Sequence, residues 1–289
     1  MKMLFNSLII LRKPLKTAFI KPYSSSFRLS GLKAILLVLT TLLFQSGCAA
    51  LSGSTEEASV HTSGQNIFYT GDMTKAGADK FIAALNSASS PITTLVIDSD
   101  GGEIGAGMTI GEAILKHNLA VRVENACFSS CANYVLTTAA SITLGEGAAY
   151  GWHGGAYQPV YIPMSGADSP GLQDYFYRMQ PRETALFEKA RVYQAVTVLP
   201  MIPGFGAKRN SAIYTYDRET LKALGLDALA EADSQERARC NSKFCTQVFF
   251  VPRPLLISLL AKFEKDKAKW DDWLAAEVRK RAQQDTPSE

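Results

Sequence analysis

The chain has 289 residues, 47% of them hydrophobic and 20% charged, the balance of a globular protein with enough apolar side chain for a sizeable core. Its formal charge of +3 misleads, because the first 47 residues carry seven of the 30 basic residues and no acidic one, leaving 23 basic against 27 acidic residues in the remainder. That mildly acidic remainder gives no reason to expect a nucleic-acid partner, which needs a concentrated basic face.

Residues 1–47 read as an export signal: a basic leader, then the apolar run Ala34 to Phe44 (AILLVLTTLLF), then small residues. At 11 residues the run is shorter than the roughly 20 needed for a bilayer span. Cys48 directly after Ser46-Gly47 resembles the lipobox of bacterial lipoproteins, with Gln45 as a departure from its usual apolar residue. The resemblance implies lipidation of Cys48 and an N-terminus anchored in the bacterial cell envelope, facing the periplasm or outer surface. Ordinary cleavage near Ala49 or Ala50 is the alternative. Residues 48–65 are small and polar and are expected to form a flexible tether, with His61 solvated.

Asn66 to Thr70 alternates apolar and polar and predicts a strand, closed by Gly71. Thr74 caps a predicted helix with Ala76, Ala78, Phe81, Ile82 and Leu85 on one face. Ile92 to Ile97 is a continuous apolar run, as in a strand buried on both faces of a parallel sheet. It ends in Asp98-Ser99-Asp100-Gly101-Gly102, and a helix is expected from Ile104 to about His117. Ala120 to Val123 gives the next strand, and Ala132 to Ala139 an apolar helical run. This alternation is the signature of an α/β domain.

Gly154 to Pro170 reads as a loop, and Leu172 to Val196 as helix, with Pro181 opening a second helix. Asp217 to Leu224 is a short helix between an Asp217 N-cap and a Gly225 C-cap. Val248 to Val251 is strand-like, and Leu255 to about Gln283 forms one long helix with Trp270 and Trp273 on one side.

The chemistry concentrates between Asn125 and Gly155. Ser130 lies at a strand-to-helix turn, a placement that suits a nucleophile, although a helix cap is the commoner use of such a serine. His153 follows on the next extended segment, where it could take the serine proton. His61 and His117 are poorly placed, one in the tether and one at a helix end. The Asp100-Gly101-Gly102 turn lets the backbone present N–H groups to an oxyanion. Neither G-x-G-x-x-G nor a G-K-[ST] ending is present, which removes a phosphate-binding reading. The histidines and cysteines lack ligand spacing, so no metal or other cofactor is expected. Beyond Cys48 four cysteines remain. Cys240 and Cys245 bracket a short polar turn and are the better disulfide candidates, with Cys127 and Cys131 as a second pair.

Four blocks occur in order: NIFYTGDMTKAGADKFIAAL, LVIDSDGGEIGAGMTIGEAI, FSSCANYVLTTAA with YGWHGG, and YDRETLKALGLDAL. Together they resemble the ClpP/crotonase superfamily, most closely the proteolytic subunit of the Clp protease, over roughly residues 66–230. The resemblance implies a repeated β-β-α spiral, Ser130 as nucleophile, His153 as base, and the N–H groups of Gly102 and Cys131 as the oxyanion hole. It also implies homo-oligomers and a peptide or protein substrate. The family's aspartate is replaced, since aligning the short helix on Gly225 puts Ile213 in its place; Asn210 and Ser211 are the nearest polar residues, and Asn210 could orient the imidazole by accepting from its N–H.

The expected layout is an export signal over 1–47, a tether over 48–65, the ClpP/crotonase-like domain over 66–235, and a disulfide-bracketed turn with a C-terminal helix over 236–289. The expected function is that of an exported serine hydrolase, a peptidase using a Ser-His dyad or incomplete triad. The alternative is a catalytically inactive lipoprotein that binds peptide or a partner protein.

Overall fold

The computed structural model describes residues 57–162, 170–208, 211–233, 238–241 and 243–284. The expected signal, Cys48 and Asn210 lie outside them. No helix among the described residues is long and apolar enough to cross a membrane.

The chain opens with a hairpin. β1 (Ser59–Ser63) pairs antiparallel with β2 (Asn66–Thr70), turning through Gly64 at φ +59. This corrects the tether expectation, because Ser59–Ser63 is an edge strand and His61 stacks on Phe68 at 4.8 Å. The strand escapes a pattern search because only Val60 is apolar and its side chains are mostly exposed, while the anchoring side chain, Ala58, precedes it and is buried.

Two parallel steps follow. Helix α1 (Lys75–Ser87) is capped as expected, with the Thr74 hydroxyl accepting from the Gly77 N–H at 3.1 Å. β3 (Thr94–Ser99) pairs parallel with β2, and α2 (Ile104–His117) leads to β4 (Ala120–Phe128), which pairs parallel with β3. Leu95 and Ile97 on β3 and Val121 and Val123 on β4 are buried, as continuous apolar strands require.

β4 extends past the expected Val123 because it bends and serves two neighbours. Its register with β3 shifts between Ile97–Val123 and Ser99–Cys127. Its first part pairs with β5 (Ile142–Leu144) and its last part with β6 (Ala149–Gly151), both parallel. Asp98 fills the irregularity, accepting from the Asn125 side-chain amide at 2.7 Å and the Ala126 N–H at 3.1 Å.

Helix α3 is only Ser130–Tyr134, followed by a 3₁₀ turn at Leu136–Thr138, so the expected helix over 132–139 starts earlier and tightens midway. Helix α4 (Pro170–Ala190) runs through Pro181, where two helices were expected. Exposed Pro181 removes one helical N–H, but Gln180, Glu183, Leu186 and Phe187 are buried on either side and keep the helix whole.

A second, two-stranded sheet pairs β7 (Ile213–Tyr216) with β8 (Thr246–Phe249) in parallel. Between them lie α5 (Arg218–Ala223), with Asp217 at its N-cap position accepting from the Thr220 hydroxyl, and α6 (Asp227–Ala232). The last element is α7 (Arg253–Gln284), whose Leu256, Leu259 and Phe263 are buried in the same core as α2 and α4. The disulfide-bracketed turn and C-terminal helix expected over 236–289 are joined to the domain through β8 and α7. The α/β class is as expected, with a mainly parallel sheet and covering helices.

Candidate active site

Ser129 is the first residue after β4 and the cap of α3, with φ 54 and ψ −123. That pair falls outside the left-handed region and is a strained conformation for a residue with a Cβ. Each side of the residue is fastened: its N–H donates to the Gly151 carbonyl at 3.0 Å, and its carbonyl accepts from the Asn133 N–H at 2.8 Å. Cys127 and Cys131 form a disulfide across this turn. The hydroxyl that results is partly exposed at the head of the sheet.

His153 arrives by pairing on two sides. Gly151 is in register with Phe128 at the end of β6, and Trp152 exchanges both backbone hydrogen bonds with Tyr214 of β7, at 2.8 and 2.9 Å. Beyond the histidine, the Asn133 side-chain amide donates to the Gly154 carbonyl at 2.7 Å. His153 Nε2 thereby lies 2.6 Å from Ser129 Oγ.

Ser130, the serine singled out by sequence, is buried and points elsewhere: its hydroxyl donates to the Gly102 carbonyl at 2.7 Å. The structure therefore brings His153 to Ser129 rather than to Ser130. The two serines are adjacent, and only the backbone turn decides which one faces the histidine. The legible signal was position, since the residue between the end of a strand and the first helical residue is the one forced into the sharp turn.

The glycine turn lies against this pair. Met73 N–H donates to the Gly101 carbonyl and Glu103 N–H to the Met73 carbonyl, both at 2.7 Å, so Gly102 turns its own N–H and carbonyl to the opposite side. Its carbonyl meets Ser130, and its N–H makes no hydrogen bond among the described residues. A Cβ on Gly101 would sit 2.6 Å from both the Phe128 carbonyl oxygen and the Ser129 Cβ, so only glycine allows the two turns to touch. Cys131, expected to supply the second oxyanion donor, is buried inside α3 and bonded through its sulfur to Cys127.

Supporting groups surround the site. Cys240 and Cys245 form the second disulfide, and the loop that they close holds Asp100 through the Asn241 amide at 3.0 Å and Lys243 Nζ at 2.7 Å. Phe244 of the same loop packs edge-on to Phe128. Glu183 on α4 is fully buried and accepts from the Tyr134 hydroxyl at 2.6 Å, the Ala156 N–H at 3.0 Å and the Gln194 amide at 2.7 Å. Burial pushes its carboxyl above the usual carboxylate range, against those hydrogen bonds. Sequence reading missed Glu183, Asn133 and Tyr134, because nothing in a helical pattern marks which polar residue faces inward.

No family model matches the chain and no curated protein does. Among solved structures, it is similar to a membrane-bound stomatin-specific protease mutant in complex with a substrate peptide, with 15% identity, 68% of this chain and 95% of that one covered, and a TM-score of 0.32. It is also similar to an enoyl-CoA hydratase from Shewanella pealeana, with 11% identity, 63% and 91% covered, and a TM-score of 0.26. A third, from Mycobacterium avium subsp. paratuberculosis and also an enoyl-CoA hydratase, has 12% identity, 64% and 98% covered, and a TM-score of 0.28. At these scores the likenesses carry no argument about chemistry, which rests on the site itself.

Proposed function

We propose that the protein is a serine hydrolase of peptide bonds in which Ser129, not Ser130, is the nucleophile. The observation that carries this reading is the 2.6 Å approach of His153 Nε2 to a serine hydroxyl on a strained turn. With the imidazole neutral and its proton on Nδ1, Nε2 accepts the Ser129 proton as Oγ attacks the substrate carbonyl. The oxyanion then accepts from the N–H of Gly102 and from that of Ser130, the residue following the nucleophile. His153 returns the proton to the leaving amine, and a water repeats the sequence to release the acyl group. Ser130 thus serves through its amide, and its hydroxyl steadies the Gly102 carbonyl.

A fluorophosphonate probe tests the assignment. Labelling of the folded protein is expected to vanish in Ser129→Ala. It should survive in Ser130→Ala with a rate lowered about tenfold at most, the worth of one ordinary hydrogen bond. Labelling lost in Ser130→Ala and kept in Ser129→Ala would reverse the assignment. A folded wild-type protein unlabelled from neutral to alkaline pH would instead favour a peptide-binding protein without catalysis.

Export and anchoring complete the proposal. They are supported by the leader before Cys48 and by two disulfides, which persist in oxidising compartments. Metabolic labelling with a palmitate analogue is expected to disappear in Cys48→Ala.

A further inference from the structure

The sequence Cys127-Phe128-Ser129-Ser130-Cys131 closes a disulfide ring of five residues around the proposed nucleophile. Both sulfurs are fully buried, and the two Cα atoms stand 5.1 Å apart. Four steps of extended chain would separate them by about 13 Å. The cross-link therefore excludes the extended forms of the turn, in which the two Cα atoms would stand more than about 7 Å apart. Beside it stand the Ser129 hydrogen bonds to Gly151 and Asn133, but α3 itself has five residues and a single turn of helical bonds to offer.

General stabilisation is a poor account of this bond. The gain from a disulfide grows with the length of chain that it closes, and a five-residue ring is near the bottom of that range. What the ring does enclose is the one strained residue of the site. The glycine turn packs flush against it, since a Cβ added at Gly101 would meet the Phe128 carbonyl oxygen and the Ser129 Cβ at 2.6 Å. A shift of the Ser129–Ser130 turn would move the hydroxyl away from His153 and the Ser130 amide away from Gly102 together.

We propose that the Cys127–Cys131 disulfide is a positioning element of the hydrolytic site, holding Ser129 Oγ on His153 and the Ser130 N–H beside Gly102. This rests on the reading of Ser129 as the nucleophile. Misplacing a reacting group by about 1 Å lowers rates about 100-fold, which sets the size of the expected effect.

The test compares wild type, Ser129→Ala and the double variant Cys127→Ala/Cys131→Ala in the full chain, with melting temperature recorded for each. Fluorophosphonate labelling of the double variant is expected to slow about 100-fold. The 15N signals and titration of the His153 ring should move from the wild-type values to those of Ser129→Ala, a change that loss of stability alone does not produce. Should the alanine pair not fold, Cys127→Val/Cys131→Ala restores part of the lost volume and is read in the same way. A folded double variant with the wild-type labelling rate and His153 signals overturns the proposal. If wild type itself is not labelled, the hydrolase reading falls, and the His153 signals alone decide whether the disulfide holds the turn.

Discussion

Two residues show how the site is held: Glu183, away from the serine and histidine, and Gly102, beside them. Glu183 is a carboxyl buried among neutral partners, and burial raises its proton affinity in the folded state above that in the unfolded chain. The stability that it lends is therefore complete below the unfolded value of about 4.3 and declines as pH rises through the raised folded value. Glu183→Gln carries no such proton, so the melting-temperature advantage of wild type over this variant should shrink as pH rises above about 4.3. A constant difference across that range would show that the carboxyl is not perturbed. Gly102 is the second case. A Cβ there would lie 2.3 Å from the Met73 carbonyl oxygen, at φ +146. Gly102→Ala should cost about 1–3 kcal/mol in denaturant unfolding, and it should abolish probe labelling by moving the N–H.

At the scale of elements, much was legible because local chemistry and burial agree. Thr74 caps its helix, Ile104 to His117 is a helix of the expected length, and Asp217 and Gly225 bracket α5. Both cysteine pairs join as proposed from their spacing. The failures share a cause, which is structure set by distant partners. β1 is polar and exists because β2 pairs with it, and β7 becomes a strand through β8 and Trp152. The choice between Ser129 and Ser130 is of the same kind, made by the Gly151, Asn133 and Cys127 attachments rather than by residue type. Pro181 misled because a helix interior with a proline is locally unfavourable, and packing overrules it. Pro181→Ala restores a helical N–H at an exposed position and should raise stability by about 1–3 kcal/mol, measured by denaturant midpoint.

At the scale of the molecule, the core is continuous from the first parallel strands to the last helix. Phe263 is the best probe of that continuity: it is buried and packs edge-on to Tyr157, four residues after the histidine. Phe263→Ala is expected to cost about 3–5 kcal/mol in global unfolding. If it cost under about 1 kcal/mol, α7 would be an appendage rather than part of the core.

Helix α7 also reaches the segment that follows His153. Trp270 donates to the Gln180 side chain, which in turn donates to the Ala156 carbonyl, at 3.1 and 3.0 Å. Tyr157 donates to Asp271 at 3.1 Å, and Lys267 donates at 2.9 Å to the Gln194 side chain that supports Glu183. A ribosome makes chains from the N-terminus, and folding follows that order. The serine, the histidine and both glycines are therefore made well before the helix that clamps the histidine loop. A chain truncated before α7 holds Ser129 and His153 yet lacks the Trp270 and Asp271 side chains that brace the loop after the histidine, so under the proposed function its probe labelling is expected to fall.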